Sequence, residues 1–268
     1  GPNGAGKTTM MKMLYAKTLR DDPETSEINV FGYDPVDNEL EIKYLSGIVP
    51  QEDNLDLELD VTQNLIIYAR FYGIKRKHAM PRIRELLDFM ELYEKRHEKI
   101  RHLSGGMKRR LVIARGLINS PHMLILDEPT TGLDPQVRHI IWDKLRDLQE
   151  RGVTILITTH YMDEAFQLCD KLIIMHNGKK ILEGNPSDLI EENMESYVLE
   201  ILEPPEAMDD KLFDSVRMDR TERRTLLYSN DTKELEKIGS KMNRSKHFMR
   251  QSNLEDLFLQ ETGRELNE

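Results

Sequence analysis

The sequence predicts an α/β fold built on a parallel sheet, followed by a small α+β appendage. The continuous apolar run 123–126 and the largely apolar stretch 153–157 are typical of strands buried on both faces. Over 8–190 strand patterns alternate with helical ones, which indicates a parallel sheet with crossover helices. Beyond that region, short apolar runs mix with charged stretches. We therefore expect a larger domain at 1–195 and a C-terminal accessory domain at 196–268.

Composition and charge exclude several classes of protein. The chain has 268 residues, of which 38% are hydrophobic and 32% charged, as in ordinary folded domains. No apolar run approaches the roughly 20 residues of a membrane-spanning helix, and we expect no signal peptide. A formal net charge of −10 argues against a nucleic-acid partner. The single cysteine, Cys169, excludes an intramolecular disulfide and fits a reduced, cytosolic setting.

Local patterns in the first part of the chain predict the early elements. Residues 8–19 contain no glycine or proline, so we expect a helix there. Residues 27–31 alternate polar and apolar side chains and predict a half-exposed strand that ends at a glycine. The apolar pair 48–49 precedes a proline and predicts a short strand. Residues 60–72 predict a helix with Asp60 or Thr62 as its cap.

Clearer helix and turn patterns follow. Pro81 suits the first position of a helix whose apolar residues recur at helical spacing. Residues 104–119 predict a helix that opens on Ser-Gly-Gly. An Asp-Pro pair opens the helix expected at 134–152, where a glycine ends it. A short helix is expected at 162–169, and the Asn-Gly pair 177–178 predicts a hairpin turn.

The first residues of the chain carry a phosphate-binding motif. Gly1–Thr8 fits the pattern G-x-x-x-x-G-K-[ST], in which glycines let backbone N–H groups approach phosphate oxygens. Lys7 would contact the β- and γ-phosphates, and the Thr8 hydroxyl would bind Mg²⁺. The nucleotide-binding residues predicted here are Gly1, Asn3, Gly4, Ala5, Gly6, Lys7, Thr8 and Thr9. Because the chain opens inside this motif, we expect the strand that leads into it to lie upstream.

Two carboxylates follow the apolar run 123–126. Burying charge at the end of a core strand is costly unless a cation or a reaction uses it. Asp127 is therefore predicted to hold Mg²⁺, and Glu128 to orient or deprotonate the attacking water. The alternative role, a carboxylate that only caps a helix, is weak beside a phosphate loop.

A second anion-binding helix start lies at Ser104-Gly105-Gly106. One nucleotide needs only one phosphate loop. Two such ends in one chain therefore predict a site completed by a second copy, as in head-to-tail dimers. Taken alone, the motif would be an ordinary serine N-cap.

Together these motifs resemble the ATP-binding cassette (ABC) ATPases. The phosphate loop, the Ser-Gly-Gly signature, the Asp-Glu strand, 131–134 and 159–160 occur in that family's order, and the likeness covers 1–190. It implies a P-loop NTPase core with a helical subdomain at about 54–115. The stretches 103–110, 126–142 and 253–264 resemble the drug and lipo-oligosaccharide exporter branch, which includes the daunorubicin-resistance ATPases.

The resemblance assigns further roles. It implies that Gln51 contacts Mg²⁺ or water, that Asp134 crosses a dimer interface, and that His160 bonds the γ-phosphate. Taken alone, these three would be a surface glutamine, a helix N-cap and a polar loop residue. The implied metal ligands are Thr8, Gln51 and Asp127, and the implied catalytic residues are Glu128, His160 and Gln51. No adenine-stacking residue is assigned, since the family places it upstream.

The implied function is ATP hydrolysis coupled to export. The partners would be a second copy of the chain and a separate integral membrane permease, with no nucleic acid. The chain would lie at the cytoplasmic face of the membrane, and the transported substrate would be a lipo-oligosaccharide or a drug. The alternatives are a non-transport ABC ATPase in DNA maintenance or translation, and a binding or regulatory protein without turnover.

Overall fold

The computed structural model describes residues 1–22, 24–202, 213, 215–220, 224–242 and 246–263. It forms two compact units, which are described separately. The first is Asn3–Leu168, and the second is Cys169–Glu268 with Gly1–Pro2. The domain boundary after residue 195 stays a prediction. The stretch 203–206, which the sequence predicts to mark a boundary or turn, lies outside the described residues.

A three-stranded parallel sheet organises the first unit. Its strands are β1 (Ser46–Val49), β2 (Met123–Asp127) and β3 (Thr154–Thr158), in the order β1-β2-β3. Val49 is paired with Leu126, and Asp127 with Thr158, so the three carboxyl ends meet at one edge. The apolar run of β2 is buried, as predicted, whereas β3 is only partly buried. The sheet edge thus places the residues after each strand side by side.

Seven α-helices belong to the described part of the first unit. They are α1 (Lys7–Leu14), α2 (Glu39–Leu45), α3 (Val61–Phe71), α4 (Arg76–Phe89), α5 (Gly105–Gly116), α6 (Pro135–Glu150) and α7 (Met162–Leu168). Asp60 starts α3 with a capping box, and Asp134 caps α6 as predicted. The apolar faces of α3 to α6 share one core with β2, which fixes the helices against the sheet.

Besides the predicted burial of β3, two local predictions are wrong. Residues 27–31 form no strand; Val30 makes only an isolated bridge to Tyr33, and no neighbouring strand is paired with the stretch. Alternating polarity in an extended loop looks the same as in a strand, because pairing is a tertiary property. Pro81 lies inside α4 and not at its start. The proline sits on the exposed side of the helix, where water can satisfy the carbonyl that it leaves unpaired.

The second unit has the α+β character that the sequence predicts. A hairpin joins β4 (Leu172–His176) and β5 (Lys179–Gly184) through the predicted Asn-Gly turn, where both residues have positive φ. An antiparallel sheet has the order β7-β8-β6-β9. Its strands are β6 (Tyr197–Leu202), β7 (Arg217–Arg220), β8 (Arg224–Ser229) and β9 (Lys246–Gln251), and the helices are α8 (Pro186–Asn193), α9 (Thr232–Gly239) and α10 (Leu254–Thr262).

The packing of α5 on β1 leaves no room for a side chain at Gly47. A Cβ built there would lie 2.0 Å from the Gly116 carbonyl oxygen, so a backbone would have to move. We expect Gly47→Ala to lower the free energy of unfolding by about 1–3 kcal/mol, as overpacking does. Urea unfolding measures this change. Gly105→Ala is the matched control, because no atom lies within 4 Å of the new Cβ. Equal stability of the two variants would contradict the close approach.

Candidate functional site

The phosphate loop bends sharply into α1, the first helix of the first unit. Gly4 has φ +77° and Gly6 has φ +94°, a left-handed conformation that glycine adopts without steric cost. Gly6 is the N-cap of α1 and offers no side-chain acceptor to the first N–H groups of the helix. An anion can bind at such a helix start. Within the motif Ala5 is buried, whereas Asn3 and the following Thr9 are exposed. Gly1 belongs to the second unit.

Two threonine hydroxyls hold the Asp127 carboxylate. Thr8 Oγ1 donates to Asp127 Oδ1 at 2.9 Å, and Thr158 Oγ1 donates to the same oxygen at 2.5 Å. A hydroxyl and a carboxylate at the foot of a phosphate loop are hard oxygen donors, and these suit Mg²⁺ together with phosphate oxygens and water. The donor set therefore fits a magnesium ion. Thr158 was not among the predicted site residues, although it directly follows the apolar stretch 153–157 and so lies at the end of a predicted strand.

Glu128 is the point where the predicted catalytic residues meet. Its carboxylate lies 3.8 Å from Lys7 Nζ and 3.4 Å from His160 Nδ1. Gln51 Nε2 donates to Glu128 Oε2 at 3.3 Å, and Thr131 Oγ1 donates to it at 3.2 Å. The Glu128 side chain is 8% exposed. Residues from four separate segments thus converge on one nearly buried carboxylate; Thr131 was not predicted as a partner.

The backbone of Glu128 is strained. Its φ of +45° lies in the left-handed region, which costs a residue other than glycine about 1–3 kcal/mol. The Glu128 N–H donates to the Thr158 carbonyl at 3.0 Å and is 3.2 Å from Thr158 Oγ1. Such a conformation persists only where surrounding contacts hold it, and it aims the side chain across the sheet edge toward Lys7.

A further negative charge near Lys7 would stabilise its ammonium group. Burial lowers the pKa of its ammonium group below the ordinary lysine value, while the charges of Glu128 and Asp127 act in the opposite direction. The two carboxylates therefore do not fully offset the desolvation of the ammonium. A phosphate beside Lys7 would add the missing stabilisation of its charged form.

The other predicted binding residues occupy two exposed helix starts. Ser104 caps α5 by accepting from the Met107 N–H at 3.2 Å, and Asp134 accepts from the Val137 N–H at 3.0 Å. Ser104 and Gly105 are exposed, whereas Gly106 is buried. A Cβ on Gly106 would lie 2.7 Å from a Val137 methyl group, so the starts of α5 and α6 pack together. Both capping roles are present, and the side chains remain open to a further ligand.

These features define a P-loop nucleoside triphosphatase: a glycine-bent loop with Lys-Thr, a strand that ends in paired carboxylates, and a histidine after the next strand. The sequence model of the ABC transporter family matches residues 1–131. The Nod factor export ATP-binding protein I of Burkholderia lata is 43% identical over 270 residues, which are 100% of this chain and 88% of that protein. Its namesake from Rhizobium meliloti is 43% identical over 271 residues, 100% of this chain and 80% of that protein.

Solved structures agree with these relatives. CbiO1 of Clostridium perfringens, part of the ABC transporter complex cbiONQ, superposes with a TM-score of 0.64 at 30% identity and covers 72% of this chain and 77% of that one. Another ATP-binding subunit of an ABC transporter gives 0.61 at 28% identity, covering 71% and 78%. The chain belongs to the family of ABC transporter ATP-binding subunits, which are ATPases. The resemblance seen in the sequence is confirmed.

Proposed function

We propose that this chain powers export by hydrolysing ATP, and that Glu128 is the residue on which hydrolysis depends. The observation that carries the proposal is the convergence of Lys7, Gln51 and His160 on the Glu128 carboxylate. The names of the relatives, which are export proteins, support transport over DNA maintenance or translation. The intact set of polar contacts at Glu128 favours turnover over a purely regulatory role.

Each site residue has a separate role in the proposed reaction. Lys7 and the N–H groups of the phosphate loop bind the phosphates, while Thr8, Asp127 and Gln51 hold Mg²⁺, which offsets phosphate charge when bound. Glu128 orients the attacking water and accepts its proton. His160 donates to the γ-phosphate. Catalysis of this kind rests on positioning and charge stabilisation rather than on covalent chemistry.

The exposed helix starts would face a second copy of the chain. Ser104 caps α5, whose first turn contains Gly105 and Gly106, and Asp134 caps α6 beside it. In a head-to-tail dimer, the α5 start of one copy covers the phosphate loop of the other, so that two nucleotides lie between two chains. Binding of ATP closes this dimer and hydrolysis opens it.

Light scattering tests the dimer directly. With ATP and Mg²⁺, we expect Glu128→Gln to double its mass, because nucleotide stays bound between the copies. Without ATP, it should remain a monomer. The control is Glu128→Gln combined with Ser104→Arg, which puts a bulky side chain at the exposed α5 start and should keep ATP binding without the mass change. A dimer that forms equally well with both variants would contradict the proposed interface.

The proposed partner is a separate membrane permease, which places the chain at the cytoplasmic face of the membrane. No helix in the described part of the chain has the length and apolar character to span a bilayer. The relatives are named for Nod factor export, which supports the lipo-oligosaccharide of the two substrate classes that the resemblance implies. In the host cell, deletion of the chain should stop release of such a compound; the wild-type chain should restore it and Glu128→Gln should not. Unchanged release after deletion would contradict this substrate class.

A further inference from the structure

Arg109, on α5, makes an unusual set of contacts for a charged side chain. It is 5% exposed and donates to two carbonyls of the strand end: Nε to Pro129 O at 2.7 Å and Nη2 to Asp127 O at 3.1 Å. Nη1 donates to Pro50 O at 2.6 Å and to Gln51 O at 3.3 Å. One guanidinium therefore joins α5 to two of the three segments that carry predicted catalytic residues, those of Gln51 and Glu128.

A guanidinium is the side chain that this geometry requires. Its planar fork presents donors in several directions at fixed angles, which a lysine ammonium on a flexible stem does not. Burial lowers the pKa of the Arg109 guanidinium, and negative charges, with Asp53 foremost at 3.8 Å, oppose that effect. The cost of burying this charge is offset only if its carbonyl contacts are kept.

Glu164, on α7, contacts the same strand end from another element. It is completely buried, and its Oε1 accepts from Thr130 Oγ1 at 2.7 Å and from Trp142 Nε1 at 2.9 Å. Trp142 lies on α6, the helix that Asp134 caps.

Arg109 and Glu164 both contact the segment Asp127–Thr130, here called the catalytic segment. Arg109 binds its carbonyls on either side of Glu128, and Glu164 binds the Thr130 hydroxyl two residues further on. Between these attachments Glu128 adopts its left-handed φ of +45°. A strained residue keeps its conformation only while its neighbours are held in place.

We propose that Arg109 and Glu164 are positioning residues that clamp the catalytic segment and hold Glu128 in the conformation needed for hydrolysis. The inference rests on the proposed role of Glu128. It also assigns a path from α5 to that residue: Ser104 caps the helix, Arg109 lies on it, and Arg109 contacts the carbonyls beside Glu128 and Gln51. A shift of α5 on closure of the dimer therefore reaches the reacting centre.

The first test replaces Arg109 by methionine, which keeps the length of the side chain and removes every donor. We expect kcat for ATP hydrolysis to fall about 10- to 100-fold, since small displacements of reacting groups have effects of this size, while KM changes less than about twofold. Arg109→Lys should restore only part of the loss. The matched control is Arg110→Met, which removes the neighbouring guanidinium and its bond to Met90 O but touches no catalytic segment contact; its kcat should stay at the wild-type value.

The second test alters the hydrogen bond between Thr130 and Glu164. It does not require the Arg109 variants to be stable. Thr130→Val removes one hydroxyl and keeps the shape, and we expect it to lower kcat with little change in KM. Glu164→Gln keeps an oxygen for Thr130 and Trp142 and should retain most of the wild-type kcat, whereas Glu164→Leu should not. Thermal unfolding and ATP affinity are measured for every variant.

Two results would overturn the inference. One is a folded Arg109→Met or Thr130→Val protein that hydrolyses ATP at the wild-type kcat. The other is a loss confined to ATP affinity or to the unfolding temperature, which a merely structural role would produce. Glu128→Gln separates this failure from failure of the proposed function: if that variant is inactive while the clamp variants are normal, only the clamp is wrong. If Glu128→Gln is fully active, the role of Glu128 itself is wrong.

Discussion

Glu128→Gln is expected to lower kcat for ATP hydrolysis by about 10²- to 10⁴-fold, the range that loss of a general base produces. The amide keeps the shape of the side chain and an oxygen for Gln51 and Thr131, which donate to the carboxylate. It does not accept a proton from water. ATP affinity should be retained, because Lys7 loses a negative neighbour and gains freedom to face phosphate. Phosphate release and nucleotide titration measure the two quantities.

The control for this substitution is Glu52→Gln. Glu52 is an exposed carboxylate next to Gln51, so the change removes the same charge from the same region without touching the site. Its kcat should match that of the wild type. A Glu128→Gln protein that turns over at more than about a tenth of the wild-type rate would contradict the assignment, because base catalysis contributes at least 10²-fold.

Lys7→Met is expected to weaken ATP binding about 100-fold, within the roughly 2–5 kcal/mol that loss of one partner of a buried charge pair costs. The ammonium lies 3.8 Å from the Glu128 carboxylate, and burial already disfavours its charge until phosphate arrives. Without it, the phosphates would lose a positive charge beside the Glu128 carboxylate. Calorimetric titration of ATP measures the change in affinity.

Lys12→Met, on the same helix, removes a lysine from the last turn of α1 and should leave ATP affinity within about twofold of the wild-type value, since that turn is the end of the helix away from the phosphate loop. Circular dichroism of both variants shows whether the helix still forms. Equal affinity for ATP in the Lys7→Met and wild-type proteins would contradict the role of Lys7 in phosphate binding.

The sequence was informative where function depends on residues that are adjacent in the chain. The phosphate loop needs glycines, a lysine and a threonine at fixed spacing, because one loop and one helix start form it. The apolar run before Asp127 predicts a buried strand, and β2 is buried. The Asn-Gly pair predicts its hairpin because the positive φ values of that turn select those residues.

Tertiary packing decided what depends on partners distant in sequence. Residues 27–31 have the pattern of a strand but pair with no strand in the described part of the chain. Pro81 is accepted inside α4 because it lies on a face open to water. The stretch 153–157 reads as fully buried, yet β3 is only partly covered. In each case the local pattern is compatible with two structures, and the neighbouring elements select one.

The sequence by itself determined the fold class and the family, and it predicted the roles of Lys7, Asp127 and Glu128, because short-range spacing encodes these motifs. Only the tertiary structure showed that Glu128 is strained, and that Arg109 holds the carbonyls on both sides of it. Arg109 lies 19 positions before Glu128 in the chain. A φ angle that depends on so distant a side chain produces no local sequence pattern, because the contact exists only in the folded protein.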